Sequence, residues 1–482
     1  MVSGFSRLLL AVLLLTGTGL RAQSPKRLNV LVLLTDDQRF NTIRALGNAE
    51  IHTPNMDRLV KSGTVFTQAH IMGSLGGAVC APSRAMLLTS RPVFSVHEDG
   101  GVIPASEKTF AEVFRESGYE TFSTGKWHSD HASFNRSFAS GDNIFFGGMH
   151  TEKEGGHWKP KLHHYDPTGT YKSPFTGNDF SSVCYANAAI EFIRKPRQEP
   201  FLMYVAFTAP HDPRTPPEAF LRLYDTAKIS LPGNFMAKHP FDNGELTVRD
   251  EMLLSTPRNP AEVKLEIAKY YAMISEVDHE IGRVLDALKA SGQYENTIIV
   301  LAGDNGLAVG QHGLLGKQNL YDHSMRVPLI FAGPGIPANK RVDAYCYLTD
   351  VFPTLCQLAG LPQPATVEGI SLDKAFTPSR FTGRDRLFIT YSNLQRAIVK
   401  DGMKLIVYNV NGQHPVQLFD LKKDPLEKNN LADAKTHQKK VAGLRALLQS
   451  EMQRYGDFCD FSKAGWGWPG KLKWEDAKRI NP

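Results

Sequence analysis

The sequence predicts an α/β fold with a large, mainly parallel β-sheet flanked by helices and a smaller C-terminal subdomain of antiparallel sheet and helix. Until about Phe376, apolar strand-like runs alternate with amphipathic helix-like runs. Beyond that point, closely spaced hairpin signals replace the alternation. A chain of 482 residues is also long enough for one large domain and a smaller one.

Three apolar runs are interpreted as buried strands of the large sheet: Leu28–Leu34, Phe201–Phe207 and Thr297–Leu301. A further short strand is predicted near Tyr119–Ser123. One helix is predicted to begin at Thr53-Pro54, with proline in its first turn, and another at Ser106. Ala261–Ala290 is predicted as a long helix because apolar residues recur along it at helical spacing.

The C-terminal subdomain is predicted from four strands: Leu387–Thr390, Arg396–Val399, Lys404–Tyr408 and Val416–Phe419. Turn signals at Asp401-Gly402 and Asn411-Gly412 lie between these strands. A helix with an apolar side from Val441 to Met452 is expected to pack on the sheet. The predicted organisation is a signal peptide at residues 1–22, a catalytic α/β domain at 23–375 and a C-terminal α+β subdomain at 376–482.

The N-terminus has the layout of a secretory signal peptide. Arg7 precedes the apolar run Leu8–Leu15, and small and polar residues follow up to Ala22. This run is far shorter than the roughly 20 residues that span a bilayer. We therefore expect an exported protein, periplasmic, secreted or in a secretory lumen, without a membrane span.

Composition and cysteine content narrow the function only a little. The net charge of +6 is spread along the chain without a Lys/Arg block, which argues against nucleic-acid binding and is compatible with an anionic substrate. Of five cysteines, Cys80 has the most distinctive neighbourhood. The other four, Cys184, Cys346, Cys356 and Cys459, could form two disulfides, and no pair has Cys-x-x-Cys spacing.

Reactive residues directly follow the four predicted strands of the large sheet. The segments are Thr35–Gln38, Gly125–His128, Ala209–Asp212 and Gly303–Gly306. Ligands of such sheets bind outside the carboxyl ends of the strands, so these segments predict one site. Asp36, Asp37, Asp304 and Asn305 supply oxygen ligands for a hard cation such as Ca²⁺ or Mg²⁺, whereas each Asp alone could be a helix cap or turn residue.

Cys80 lies just ahead of a predicted helix that has Pro82 in its first turn and Arg84 one turn on. A helix N-terminus favours an anionic nucleophile or substrate because of its free N–H groups and dipole. The alternative for Cys80 is a small buried structural residue.

The pentapeptide Cys80–Arg84 is similar to the Cys-x-Pro-Ser-Arg signature of the type I sulfatases, members of the alkaline phosphatase superfamily. Further segments resemble the remaining family blocks, in the same order: Thr35–Gln38, Gly125–His128, Pro210-His211, Gly303–Gly306, Gly316-Lys317, Arg326–Leu329 and Leu418–Leu421. The resemblance runs from about Asn29 to Leu431. One departure is Ser90, which replaces the glycine of the family's Leu-Thr-Gly-Arg.

This resemblance implies a sulfatase that hydrolyses a sulfate ester, which we expect to be on a sulfated carbohydrate. It implies that a formylglycine-generating maturation enzyme oxidises Cys80 to Cα-formylglycine. The hydrated aldehyde can attack sulfur with one hydroxyl and, after losing the proton of the other, expel sulfate. The implied metal ligands are Asp36, Asp37, Asp304, Asn305 and the residue derived from Cys80, with Ca²⁺ as the expected ion and Mg²⁺ as the alternative.

The resemblance also implies roles for basic residues. Arg84, Lys126 and Lys317 are similar to the family's contacts with sulfate and formylglycine. His128 would help to break down the sulfate adduct, and His211, with Lys317, would donate a proton to the leaving alcohol.

Two other functions stay open for this sequence. One is a phosphodiesterase or phosphonate monoester hydrolase of the same superfamily, and the other is a catalytically inactive glycan-binding homologue. The loop Met149–Tyr171 is rich in cationic and aromatic residues and follows His128 in the chain. We hypothesise that it contacts a sulfated sugar, with a solvated surface loop as the alternative.

Overall fold

A computed structural model describes residue 1, residues 27–468 and residues 470–473, and eight strands form its large sheet. Their spatial order is Lys340–Tyr347 (β11), Gly63–His70 (β2), Leu329–Ala332 (β10), Thr297–Gly303 (β9), Asn29–Thr35 (β1), Phe201–Ala206 (β8), Glu120–Lys126 (β4) and Ser140–Phe145 (β5). Strand β10 is antiparallel to both neighbours, and the other pairings are parallel. The mainly parallel sheet is confirmed.

Helices cover both faces of this sheet: Pro54–Ser62 (α1), Cys80–Thr89 (α2), Phe110–Glu116 (α3), His131–Ser137 (α4), Ser181–Arg194 (α5), Glu218–Leu221 (α6), Pro260–Ala290 (α7), Asp322–Met325 (α8) and Val351–Ala359 (α9). Strand β1 is apolar on both sides because it lies between two cores. Val30 and Val32 pack in the core that includes residues of α2, α3 and α9. Leu31 and Leu33 pack in the core that includes residues of α1, α5 and α7.

The helix predicted to begin at Ser106 begins later, at Phe110, so that boundary was wrong. Thr109 is the N-cap: its side chain accepts a hydrogen bond from the backbone N–H of Glu112, whose carboxylate accepts one from Thr109 N–H. This reciprocal pair satisfies two free donors and so fixes the helix start. The long helix α7 was predicted to within one residue.

A second sheet of five strands forms the C-terminal subdomain, in the order Val416–Asp420 (β15), Met403–Tyr408 (β14), Gln395–Lys400 (β13), Arg386–Tyr391 (β12) and Gly73–Ser74 (β3). Its four C-terminal strands pair antiparallel, as predicted. Strand β3 pairs parallel with β12 and comes from the N-terminal part of the chain. Helix Gln438–Arg454 (α10) packs on β13 and β14. A short hairpin, Lys161–Leu162 (β6) and Phe175–Thr176 (β7), lies apart.

Ser90, the residue that departs from the family pattern, ends helix α2 in the left-handed conformation with φ of 60°. Its hydroxyl donates to Thr349 O at 2.8 Å and accepts from Gly369 N at 3.0 Å. These two hydrogen bonds offset the strain of a side chain in this conformation, which glycine would adopt freely.

Other sequence predictions have different outcomes. The signal peptide falls on residues that lie, apart from Met1, outside the described part of the chain, and the domain boundary at residue 375 stays a prediction. All five cysteines are buried and unpaired, so the possible disulfides are not formed. Among the described residues, no helix has the length and apolar character needed to cross a bilayer.

Candidate active site

The ends of β1, β4, β8 and β9 meet the start of helix α2 at the carboxyl edge of the large sheet. They bring together all the residues predicted for the site: Asp36, Asp37, Cys80, Arg84, Lys126, His128, His211, Asp304, Asn305 and Lys317. Except for His128, which is partly exposed, each is almost fully buried. Parallel strands deliver their next residues to one edge, which explains this convergence.

Cys80 is the first residue of helix α2, and its sulfur lies within a set of charged groups. Lys317 Nζ is 2.9 Å from Sγ, Asp36 Oδ1 is 3.1 Å away and Asp37 Oδ1 is 3.5 Å away. Burial and the carboxylate of Asp36 raise the pKa of the thiol well above its ordinary value. The unmodified side chain is therefore a neutral thiol.

Below Cys80, two cations hold two carboxylates. Lys126 Nζ is 2.5 Å from Asp36 Oδ2, and Arg84 Nε is 2.9 Å from Asp304 Oδ2. Burial alone would raise the pKa of Asp36, but Lys126 and Arg84 outweigh it and hold that pKa well below its ordinary value. Burial and the charge of Asp36 raise the pKa of Asp304 to about 7. Asp36 is thus the better stabilised anion of the two.

Asp37 completes what we call the buried charge cluster: Asp36, Asp37, Arg84, Lys126, Asp304 and Lys317 around Cys80. Asp37 Oδ1 accepts hydrogen bonds from Lys317 Nζ at 2.6 Å and from Asn305 Nδ2 at 2.7 Å. Its other oxygen, Oδ2, is buried without a hydrogen-bond partner, and so is Asn305 Oδ1. A buried oxygen without a donor is costly, so these atoms fit ligands of a cation.

Ligand atoms of Asp36, Asp37, Cys80 and His211 all lie within 4.8 Å of one another. This grouping of Asp, Cys and His side chains overlaps the predicted metal set and adds His211, while Asp304 lies outside it. Both oxygens of Asp304 already accept hydrogen bonds, from Arg84 Nε and Asp37 N. Hard cations prefer oxygen ligands to nitrogen or sulfur ligands, so the oxygen-rich set around Asp37 suits a hard cation.

Two histidines face the same site from different strands. His128 follows β4, and burial together with the charges of Lys126 and Arg84 lowers the pKa of its imidazole well below the ordinary value. His211 Nδ1 lies 2.8 Å from Asp212 O, a hydrogen bond that leaves Nε2 facing Asp37 Oδ2 at 3.7 Å. His128 is therefore neutral and able to accept a proton, and the tautomer of His211 is fixed by the backbone.

A cleft of about 330 Å³ opens above Cys80, and Lys317, His128 and His211 line it. Its outer wall contains residues that sequence reasoning missed: Arg249, Asp250 and Gln318. Arg249 and Asp250 come from a long stretch without regular apolar periodicity between α6 and α7. In the sequence, only the position of Gln318 next to Lys317 indicated that a residue of this wall lies near the site.

The comparison with protein families agrees with this geometry. A family model described as sulfatase matches residues 28–361, and a model described as N-sulphoglucosamine sulphohydrolase, C-terminal, matches residues 310–454. The chain belongs to the sulfatase family. A sulfatase from Formosa agariphila is 30% identical, with 87% of this chain and 86% of that protein covered. This chain is accordingly a sulfuric ester hydrolase.

Two further similarities concern this sulfatase. An N-acetylglucosamine-6-O-sulfatase from Bacteroides thetaiotaomicron is 26% identical over 90% of this chain and 88% of its own length. A solved structure of a protein in complex with its substrate D-glucosamine-2-N,6-O-disulfate has a TM-score of 0.73 and 23% identity, covering 90% of this chain and 99% of that chain. The similarity to this solved structure shows that the two proteins share a fold.

Two histidines of the loop Met149–Tyr171 are turned inward, although much of the loop is exposed. His157 is 1% exposed, and its Nε2 lies 2.9 Å from His211 O while its Nδ1 lies 2.8 Å from Ser181 Oγ. His150 is 4% exposed and bonded to Tyr185 OH at 3.0 Å. Both imidazoles are buried and hydrogen-bonded inside the protein, so they are not the sugar contacts of this loop, and the hypothesis for the loop as a whole stays a prediction. Met149, beside them, does line the cleft.

Proposed function

We propose that this sulfatase releases sulfate from a sulfated carbohydrate and that the nucleophile is formylglycine made from Cys80. The observation that carries the proposal is the position of Cys80, at a helix N-terminus, 2.9 Å from Lys317 Nζ and at the bottom of a cleft lined by two histidines. A helix N-terminus and a fixed lysine favour an anionic sulfate group at this point.

The state of the thiol supports conversion of Cys80. Because burial raises the pKa of Cys80, the unmodified residue would not be the thiolate that nucleophilic cysteine chemistry requires. The hydrated aldehyde of formylglycine would supply the attacking hydroxyl instead. The proposal therefore includes a maturation enzyme as a partner and, with the N-terminal sequence, export of the protein.

We propose that Asp36, Asp37, Asp304, Asn305 and the residue derived from Cys80 hold a divalent cation, Ca²⁺ in preference to Mg²⁺. The unpartnered oxygens of Asp37 and Asn305 support this assignment. The bound cation would supply positive charge that orients the nucleophile and neutralises sulfate oxygens. Arg84 and Lys126 lie beneath these ligands and position Asp304 and Asp36.

The chain itself supplies the proton transfers. His128 is neutral and can take the proton whose loss allows sulfate to leave the enzyme. His211 holds one proton on Nδ1 through its bond to Asp212 O, so in the doubly protonated form it can give the proton on Nε2 to the leaving alcohol, with Lys317 as the second donor. A ring nitrogen of His211 lies within 4.8 Å of the Cys80 sulfur, and His128 lines the same cleft.

The carbohydrate part of the proposal is supported by the relatives, two of which are named for sulfated amino sugars or were crystallised with one. The experiment is to incubate the purified protein, with Ca²⁺, with an aryl sulfate, an aryl phosphate diester and a phosphonate monoester. We expect kcat/KM to be highest for the sulfate. A higher value for either phosphorus substrate would favour the phosphodiesterase or phosphonate hydrolase alternative, and no turnover of any ester would favour the inactive homologue.

A further inference from the structure

The outer wall of the cleft carries an ion-pair network that the proposed chemistry does not use. Arg249 is 46% exposed and forms a bidentate pair with the carboxylate of Asp212, with Nη2 3.1 Å from Asp212 Oδ1. The same Nη2 lies 2.6 Å from Asp250 Oδ1. One guanidinium thus stands between two carboxylates, at the point where the alcohol part of a sulfate ester would enter.

The wall is held rigidly against the catalytic side of the cleft. Asp250 Oδ2 accepts a hydrogen bond from Gln318 Nε2 at 2.9 Å, and Gln318 Oε1 accepts one from Lys317 N at 3.0 Å. Glu251, the next residue, accepts hydrogen bonds from the backbone N–H groups of Leu315 and Gly316. The position of Asp250 relative to Lys317 is therefore set by packing and hydrogen bonds, as a recognition element requires.

The charge on this wall is negative. Burial alone would raise the pKa of Asp250, but Lys317 and Arg249 outweigh it, so its pKa is lowered and the carboxylate is ionised. Asp212, which lies behind the cleft, is also ionised, so two carboxylates share the guanidinium of Arg249. The other cations that act on them, Lys317 and Arg214, are already paired with Asp37 at 2.6 Å and with Glu266 at 3.0 Å. A second anionic group on the substrate would meet net repulsion here, whereas hydroxyl groups can donate to the carboxylate and accept from the guanidinium.

We propose that Arg249 and Asp250 determine the specificity of this sulfatase by binding hydroxyl groups of a neutral sugar and disfavouring a sugar with a second anionic group. This inference rests on the proposed function and adds the charge class of the leaving alcohol. A donor beside an acceptor on one rigid wall matches neighbouring ring hydroxyls, each of which both donates and accepts. Sulfate itself is bound elsewhere, at the buried charge cluster.

The test compares glucosamine sulfated at O3 or at O6, each in an N-acetylated and an N-sulfated form, with an aryl sulfate as reference. The measured quantity is the ratio of kcat/KM for the N-acetylated over the N-sulfated sugar. We expect the parent enzyme to favour the N-acetylated sugar by about tenfold, which corresponds to about 1.4 kcal/mol, the order of one close charge contact at a partly exposed site.

Two substitutions should move this ratio in opposite directions. Asp250→Asn removes one negative charge and keeps an acceptor for Arg249, so the ratio should fall about tenfold. Arg249→Gln removes the guanidinium that pairs with both carboxylates and so makes the wall more negative, and the ratio should rise. Arg249 is half-exposed, so we expect Arg249→Gln to fold even if Asp250→Asn does not. The matched control is Met252→Ala, on the same segment, 68% exposed and outside the cleft, which should leave the ratio unchanged.

The outcomes separate this inference from the proposed function. Failure of the parent enzyme to hydrolyse any sulfate ester would overturn the proposed function. If the enzyme hydrolyses aryl sulfate, three results would overturn only the role of Arg249 and Asp250. These are equal or higher activity on the N-sulfated sugar, no activity on any sugar, and a shift of the ratio in the same direction by both variants. The ratio should also fall as ionic strength rises, which a purely structural role would not produce.

Discussion

The floor and the wall of the cleft are built in different ways. The floor is the buried charge cluster, whose side chains are nearly inaccessible. Most of its residues lie at the ends of strands of the large sheet, whereas Arg84 lies on helix α2 and Lys317 on the loop after β9. The wall is made by Arg249, Asp250 and Gln318, which lie on irregular segments, and Arg249 remains half-exposed. A rigid sheet edge suits chemistry that every substrate shares, and a loop-built wall suits a choice among substrates.

The largest expected effect is on the floor. Cys80→Ala removes the precursor of the nucleophile, so sulfate release should fall to background for every ester, while the thermal midpoint changes little because a small side chain is lost. Sulfate release is measured in phosphate-free buffer, and the thermal midpoint is measured by thermal unfolding. Cys356→Ala, which removes another buried cysteine on α9, is the matched control and should keep parental activity. Parental sulfate release by Cys80→Ala would refute the assignment.

The next largest effect is on Ca²⁺ affinity, which a substitution in the floor should lower and a substitution in the wall should not. Asp37→Asn keeps the shape of the side chain but removes a negative charge, so the Ca²⁺ concentration that gives half of the maximal thermal stabilisation should rise at least about tenfold. Asp250→Asn, on the wall, should leave that concentration unchanged. Equal effects of the two substitutions would place the cation outside the floor.

A smaller effect tests the layer behind His211. His157 donates to His211 O from the buried side, so His157→Ala should lower kcat by about tenfold for all sulfate esters, with little change in KM. His157→Gln, which can still donate, should recover part of the loss. His164→Ala, on the same loop but 72% exposed, should change neither constant. A change in preference between sugars caused by His157→Ala would mean that the residue belongs to substrate recognition.

The smallest effect concerns the pH dependence of stability. Burial lowers the pKa of His157 to about 4, below the 6.5 expected in the unfolded chain. The unfolded state then binds the proton more tightly, so the contribution of neutral His157 is complete above pH 6.5 and is lost as pH falls towards 4. His157→Gln should show a shallower loss of unfolding free energy in this window by chemical denaturation. An unchanged slope would contradict a buried neutral imidazole.

Much of the fold and of the floor could be predicted from the sequence. Strands β1, β8 and β9 are apolar runs, β4 is a short strand that follows a predicted helix, and the sheet geometry alone brings their following residues to one edge. Strand β3 could not be predicted, because it has two residues and forms only through its pairing with β12. The formation of this strand depends on a tertiary contact, and such a contact leaves no periodic pattern in the sequence.

The wall and the loop histidines show where sequence reasoning fails. His157 was predicted to lie in a sugar-contacting loop because charged and aromatic residues cluster around it, yet it is buried behind His211. Arg249 and Asp250 gave no signal, since their segment has neither periodicity nor a motif. Which side of a loop faces a cleft is decided by packing that its own residues do not encode locally.

The central claim is that Cys80 is a precursor and that its oxidised form is the nucleophile. Mass spectrometry of the peptide that contains Cys80, from protein purified from its native host, tests this most directly. We expect the peptide to carry formylglycine at position 80 and the converted fraction to scale with sulfate release. Fully active protein with an unmodified thiol at Cys80 would contradict it.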